Sequence, residues 1–437
     1  MKKLLSALVI LLLLQPVFGQ EHHTFVFYSK LATTDVTDIS ETIPYKSATG
    51  YGFDFNNKDR VIIKGSKKDV SGYCTAEVPF YFSEKVPEGN YRVKVIIGNP
   101  AAASTTTIKA EARRLMVDNY KLKKGKTAEL SFNVSVRSPY INADRKIKLK
   151  PREVNYMNWD DRLTLEFSGK NQAVRRIEIE ALEDYHTIFL AGNSTVTDQD
   201  YTPWASWGQM ITPYFDNSLV VANYAESGES LASFKGSGRL DKVLSMMKPG
   251  DYLFIEFGHN DEKRKGEGIG PWTSYSDLIR EFVNRSREKG GIPVLITPTQ
   301  RRTFDENGTI TNSHGDYPAA MKKVAEEMSV PLIDLNAMTK TLYEAWGPES
   351  SKLAFVHYPE NTFPGQDKKL EDNTHFNEFG AHEIALCVLQ GICNLDLPIE
   401  SNIINFKGHY NPSTPNGFGE WKVPMSPRTE STKPEGN

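Results

Sequence analysis

Cysteine is almost missing from this chain of 437 residues, with Cys74, Cys387 and Cys393 the only three. So few thiols exclude a disulfide framework, and no Cys/His cluster has metal-ligand spacing. Cys387 lies in the apolar pattern of a helix, and a Cys387–Cys393 bond would strain that helix end. Basic charge is not in excess either. The formal net charge is -3 and no basic stripe is present, which argues against a nucleic-acid partner. After the N-terminus no apolar run is long enough to span a bilayer, and there is no internal repeat or heptad. With 39% hydrophobic and 24% charged residues the composition is that of a soluble globular protein, and the length exceeds what one core usually serves.

What is present divides the chain into four parts. Lys2 and Lys3, the apolar stretch Leu4 to Leu14 and Val17-Phe18-Gly19 read as a signal peptide over residues 1–19, so the mature protein is expected to be secreted or periplasmic. No cysteine stands near that cleavage point to support a lipoprotein route. Over residues 20–184, segments such as Tyr91 to Val95, Leu130 to Val134, Leu163 to Phe167 and Arg176 to Glu180 alternate apolar and polar residues, which predicts an all-β sandwich. Tyr45, Tyr51 and Trp159 could stack on sugar rings there, although single aromatics in β domains more often belong to the core.

Over residues 185–398 the pattern changes. Thr187 to Ala191, Leu219 to Ala222, Tyr252 to Phe257, Ile292 to Ile296 and Val330 to Leu335 are short apolar runs, as strands covered on both faces should be. Helical spacing over Trp207 to Phe215, Leu240 to Met247, Tyr275 to Lys289, Tyr317 to Met328 and Asn377 to Gly391 predicts an α/β doubly wound parallel sheet. Residues 399–437 form a Pro/Gly-rich extension. Its aromatics Phe406, Tyr410, Phe418 and Trp421 should rest on the folded parts, with the end loose from about Thr429.

Four stretches carry chemistry: Gly192-Asn193-Ser194-Thr195, Ser227-Gly228-Glu229-Ser230, Gly258-His259-Asn260-Asp261 and Asp372-Asn373-Thr374-His375. Each alone reads first as an ordinary turn. Three of them follow a predicted strand, at the sheet edge where doubly wound folds bind ligands, and the fourth precedes a helix. A serine hydroxyl attacks a carbonyl only when a base takes its proton, a carboxylate orients that base, and fixed donors meet the oxyanion. Ser194, His375 and Asp372 can fill the first three roles, the last two within one tight turn. The N–H groups of Ser194 and Gly228 and the Asn260 amide can supply the oxyanion hole.

The blocks resemble those of the SGNH (GDSL-type) hydrolases, and Ala191 to Val196, Phe257 to Asp261 and Asp372 to Phe376 are most similar to the rhamnogalacturonan acetylesterases. The resemblance covers roughly Thr187 to Ile392. It implies a flavodoxin-like catalytic fold, Ser194 as nucleophile, Gly228 and Asn260 as oxyanion donors, and Asp372 and His375 completing the triad, with no cofactor. One position departs: Asn193 stands where the family pattern usually has Asp. Asn193 also opens an Asn-Ser-Thr sequon, read as accidental because a glycan there would cover the nucleophile. The preceding β segment resembles the galactose-binding jelly rolls attached to some such enzymes.

An acetylated rhamnogalacturonan is acidic, so a chain of charge -3 needs local positive charge beside its site. Lys263, Arg264 and Lys265 follow Asn260, and Arg301 and Arg302 follow the fourth strand, so these five are the expected carboxylate-binding residues. The reading is a serine esterase removing O-acetyl groups from a polysaccharide or oligosaccharide. Two alternatives remain at this point: an SGNH esterase acting on another acylated glycan or small ester, and a non-catalytic sugar-binding surface protein.

Overall fold

The computed structural model describes residues 22–28, 36–55, 58–65 and 72–435, so the expected signal peptide at 1–19 lies outside the described residues. The alternating segments of the first half pair into two sheets. One follows the path Ala128–Val136, Gly89–Ile97, Ala173–Ala181, His22–Phe27 and Val36–Ile39, with Ile62–Lys64 and Tyr73–Thr75 attached at its side. The other runs Tyr51–Asp54, Phe80–Lys85, Arg162–Ser168, Ser104–Ala110 and Arg114–Leu122. Because side chains alternate along a strand, Val93, Val95 and Ile97 of the first sheet and Leu163, Leu165 and Phe167 of the second share one core. All named strands of these sheets pair antiparallel except His22–Phe27 with Val36–Ile39, which run parallel.

The second half contains five parallel strands: β1 (His186–Gly192), β2 (Leu219–Asn223), β3 (Tyr252–Glu256), β4 (Ile292–Ile296) and β5 (Leu332–Ile333). Their order is β2-β1-β3-β4-β5. Alternate residues of β1 enter different cores. Ile188 and Leu190 meet Trp207, Met210, Ile384 and Val388, whereas Phe189 and Ala191 meet Leu240, Val243, Phe282 and Met321. Burial of a side chain of this size contributes about 1.5–3 kcal/mol, which is why both faces must be covered by helices. These are α1 (Trp207–Met210), α2 (Leu231–Gly236), α3 (Arg239–Met246), α4 (Ser276–Glu288), α5 (Tyr317–Met328), α6 (Leu335–Ser350) and α7 (Glu378–Cys393).

Three expectations of secondary structure change. The helix expected over Trp207 to Phe215 ends at Met210 and continues as a 3-10 turn at Thr212–Tyr214, because Pro213 cannot donate to a longer helix. The strand expected to reach Leu335 stops at Ile333, since the Asp334 carboxylate accepts from Ala337 N at 3.3 Å and caps α6. The turn with Asp372 and His375 lies inside a strand: β7 (Leu370–Phe376) pairs antiparallel with β6 (Phe355–Tyr358).

Tyr45, Tyr51 and Trp159 are engaged internally. Arg162 stacks over Tyr45 at 4.6 Å, Tyr51 packs on Phe25 at 5.2 Å, and Trp159 lies beside Arg137 at 5.2 Å. Beyond residue 399 the chain covers the parallel-sheet half, with the Trp421 ring stacked 3.9 Å from that of His382 and the Tyr410 hydroxyl donating to Glu383 at 2.8 Å. The end is held past Thr429. Thr202 N donates to Arg428 O at 2.9 Å and Glu430 N donates to Thr202 O at 3.0 Å, which overturns the expected loose end as far as Glu435. The three cysteines are unpaired, and among the described residues no helix is long and apolar enough to cross a membrane.

Candidate active site

The order β2-β1-β3 reverses direction at β1, and in such sheets the crevice at that reversal receives ligands. Ser194 follows β1 and Asn260 follows β3, so the two flank the crevice. Ser194 sits in a turn closed by Val196 N donating to Asn193 O at 3.1 Å. Gly192 permits that turn, since a Cβ there would stand 2.5 Å from Val196 Cγ2. Gln199 Nε2 and Ser206 Oγ both donate to the Ser194 carbonyl, at 2.9 and 2.6 Å, which fixes the backbone beneath the hydroxyl.

Asn193 braces the same turn. Its Oδ1 accepts from Thr195 N at 2.9 Å and from Thr195 Oγ1 at 2.9 Å, while Thr195 Oγ1 also lies 2.8 Å from Glu256 Oε1. One hydroxyl proton cannot serve two acceptors. Burial pushes the Glu256 carboxyl up to about 7, against the hydrogen bonds from Trp207 and Thr195, so a protonated Glu256 can donate to Thr195 while Thr195 donates to Asn193. Asn193 Nδ2 has no partner among the described residues, an omission costing about 1–3 kcal/mol. The side chain is fully buried, so the sequon of the folded chain is closed to a glycan.

The Ser194 hydroxyl lies 2.8 Å from His375 Nε2, and His375 Nδ1 donates to Asp372 Oδ2 at 2.8 Å. Asp372 Oδ1 also accepts from Thr374 N at 2.8 Å and His375 N at 2.9 Å. This loop of the chain back onto one carboxylate is accommodated by a register shift between β6 and β7, so the turn expected there exists as a bulge within a strand. Burial alone would raise the Asp372 carboxyl. The His375 ring and the two N–H donors outweigh it and hold the group well below the usual carboxylate range. The ring edge of Trp204 packs against His375 at 5.8 Å.

The blocks of the opposite wall are tied to this relay. Gln199 Nε2 reaches Ser227 Oγ at 3.3 Å, and Asn260 Nδ2 donates to Glu229 O at 3.0 Å, leaving that amide a second N–H. Gly228 has φ +81, a conformation that L side chains rarely adopt. Asp261 accepts from Leu231 N at 2.9 Å and anchors the third block to α2. His259 is buried, and that burial, reinforced by His314 and Arg301, keeps its ring neutral.

The sequence of this chain is similar to those of known proteins. The GDSL-like Lipase/Acylhydrolase family matches residues 190–382. Over 223 residues, 51% of this chain and 95% of the relative, the sequence is 45% identical to the rhamnogalacturonan acetylesterase RhgT of Bacillus subtilis. The chain belongs to the GDSL-like lipase/acylhydrolase family. It is a carboxylic ester hydrolase. Similarity to the uncharacterized esterase YxiM of Bacillus subtilis is 26% identity over 412 residues, 89% of this chain and 97% of that protein. The crystal structure of Bacillus subtilis YxiM superimposes with a TM-score of 0.45 and 23% identity over 86% of this chain and 99% of that one. Among the described residues of this GDSL-like hydrolase, no group of three or more His, Cys, Asp or Glu is placed to hold a metal ion.

Of the five basic residues expected to meet an acidic substrate, Lys263, Arg301 and Arg302 contact the blocks that carry Asn260 and Asp372. Arg301 Nη2 is 2.6 Å from Glu262 Oε1, and Arg302 Nε donates to Asn373 Oδ1 at 2.8 Å while its Nη1 donates to Pro348 O at 2.7 Å. Both guanidinium groups are therefore engaged within the fold. Lys263 Nζ is 3.4 Å from Asn260 Oδ1, Lys265 Nζ donates to Glu262 O at 2.9 Å, and Arg264 N donates to Asp261 O at 3.1 Å. The cations at the opposite wall come from elsewhere. Lys150 and Arg152, in the segment that joins the strands Ala128–Val136 and Arg162–Ser168 of the β half, both donate to Ser227 O, immediately before Gly228. Lys433 Nζ lies 3.4 Å from Asp372 Oδ2. Nothing in the local pattern of these three residues marks them, because each reaches the crevice through the packing of remote segments.

Proposed function

We propose that this hydrolase is an exported carbohydrate O-acetylesterase that deacetylates rhamnogalacturonan through an acetyl-enzyme on Ser194. The observation that carries this reading is the unbroken relay Ser194 Oγ to His375 to Asp372, with 2.8 Å at both steps. Ser194 Oγ attacks the acetyl carbonyl as His375 Nε2 takes its proton, and Asp372 stabilises the resulting imidazolium. The oxyanion is received by the N–H groups of Ser194 and Gly228 and by the Asn260 amide. His375 then protonates the departing sugar hydroxyl. A water molecule, deprotonated by His375, attacks the acetyl-enzyme, and acetate leaves with Ser194 restored. No step calls for a cofactor.

The choice of rhamnogalacturonan is supported by the identity to RhgT over the hydrolase half. We further propose residues 20–184 as a galactose-binding-like jelly roll, 185–398 as the catalytic domain, 399–437 as an extension, and 1–19 as a cleaved signal peptide. The test is acetate release from acetylated rhamnogalacturonan, acetylated xylan and 4-nitrophenyl acetate. The proposal predicts the highest kcat/KM on the first. Faster release from xylan would contradict the substrate, and no release from any of the three would contradict the activity.

A further inference from the structure

The wall that holds Gly228 also carries a carboxylate. Arg152 Nη2 donates to Ser227 O at 2.8 Å and lies 2.7 Å from Glu226 Oε1, while Lys150 Nζ lies 3.4 Å from Glu229 Oε1. Glu226 and Glu229 are buried, so these contacts anchor the two cations from the inner side. On the outer side, Glu435 spreads its two oxygens across them. Oε1 is 2.7 Å from Arg152 Nη1 and Oε2 is 3.1 Å from Lys150 Nζ. Glu435 is 61% exposed, against 26% for Arg152 and 22% for Lys150, so the carboxylate enters from solvent onto a half-buried pair of donors. The site adjoins Gly228. A Cβ built on Gly228 would stand 2.9 Å from Lys150 Nζ and 3.0 Å from the Glu435 Cβ.

We propose that Lys150 and Arg152 form a carboxylate-binding subsite that takes the uronic-acid group of an acidic sugar next to the acetylated one, and that Glu435 occupies it until substrate displaces it. The assignment rests on the acidic-polysaccharide reading above, and it adds a cationic segment contributed by the β half to Lys263, Arg264, Lys265, Arg301 and Arg302. The chemistry fits. Arg offers a planar fork and Lys a point charge, and together they hold both oxygens of one carboxylate. An exposed ion pair with a residue of the chain itself is weak enough to exchange with a ligand. The neighbouring contact to Ser227 O makes occupancy of the subsite felt one residue from the Gly228 N–H.

The probe is sodium galacturonate, with galactose as the neutral control, tested as inhibitors of 4-nitrophenyl acetate hydrolysis by the full chain. Galacturonate should compete and galactose should not. Arg152→Gln and Lys150→Gln should each raise Ki about tenfold or more, the usual weight of a hydrogen bond to a charged group. Glu435→Gln should lower Ki about two- to fivefold by removing the internal competitor. Equal inhibition by galactose, no inhibition of the wild type, or a Ki within twofold in both Arg152→Gln and Lys150→Gln would overturn the subsite and leave Glu435 as a structural tether only. Absence of ester turnover by the wild type would instead count against the proposed esterase function. In that case titration calorimetry of galacturonate into the same proteins still reads the subsite directly.

Discussion

Arg137 Nη2 donates to Asp198 Oδ2 at 3.0 Å, joining the β half to the loop that follows Ser194. Arg114 Nε approaches the same oxygen at 3.3 Å, and Asn223 Nδ2 donates to Asp198 Oδ1 at 2.8 Å. All of these side chains are buried. Arg113 adds hydrogen bonds to Gln199 O and Trp204 O, at 3.3 and 2.7 Å, on the same loop. The β half is thus a buttress of the nucleophile turn, whatever else it binds.

Without Arg137 the buried Asp198 keeps only Arg114 and Asn223, and losing a hydrogen bond to a charged group costs about 1.5–3 kcal/mol. Arg137→Ala should therefore lower the stability of the whole chain by that order, read as a shift of the urea midpoint. A stability unchanged within about 0.5 kcal/mol would mean that the halves do not depend on this contact.

Asn260→Ala should reduce kcat on 4-nitrophenyl acetate about 100- to 1000-fold with little change in KM, the effect of losing one oxyanion donor. A change mainly in KM would assign Asn260 to substrate binding. Loss of Tm with kcat preserved would assign it to the Glu229 carbonyl it holds.

Much of this site was legible in the sequence because its parts follow strands whose apolar runs mark them. Ser194, Gly228 and Asn260 fall where β1, β2 and β3 end, and the Asn377 cap announces α7. The geometry of Asp372 and His375 was less legible, since a bulged strand and a tight turn share the same local hydrogen bonds. Arg301 looked outward in sequence because its partner Glu262 lies 39 residues earlier, a pairing that only the sheet creates. Lys150, Arg152 and Glu435 were invisible for a similar reason. Contacts spanning 285 residues, as between Lys150 and Glu435, have no periodic signature.

Glu256 sets a pH dependence of stability. Its folded carboxyl is raised by burial from 4.5 to about 7, so the stabilisation from its protonated form is fully present below about pH 4.5 and is lost as pH rises through about 7. Glu256→Gln cannot ionise, and the difference between its Tm and that of the wild type should move in its favour between pH 5 and pH 8, which differential scanning calorimetry will read. A constant difference across this window would mean that Glu256 does not titrate there.

The central claim is that the hydroxyl of Ser194 becomes the acetyl carrier. Intact-mass and peptide mass spectrometry of protein quenched during 4-nitrophenyl acetate turnover should find one acetyl group on Ser194. Ser194→Ala and His375→Ala should remain folded and lose turnover by about three orders of magnitude or more. A folded Ser194→Ala protein retaining more than about a tenth of wild-type kcat would contradict the account.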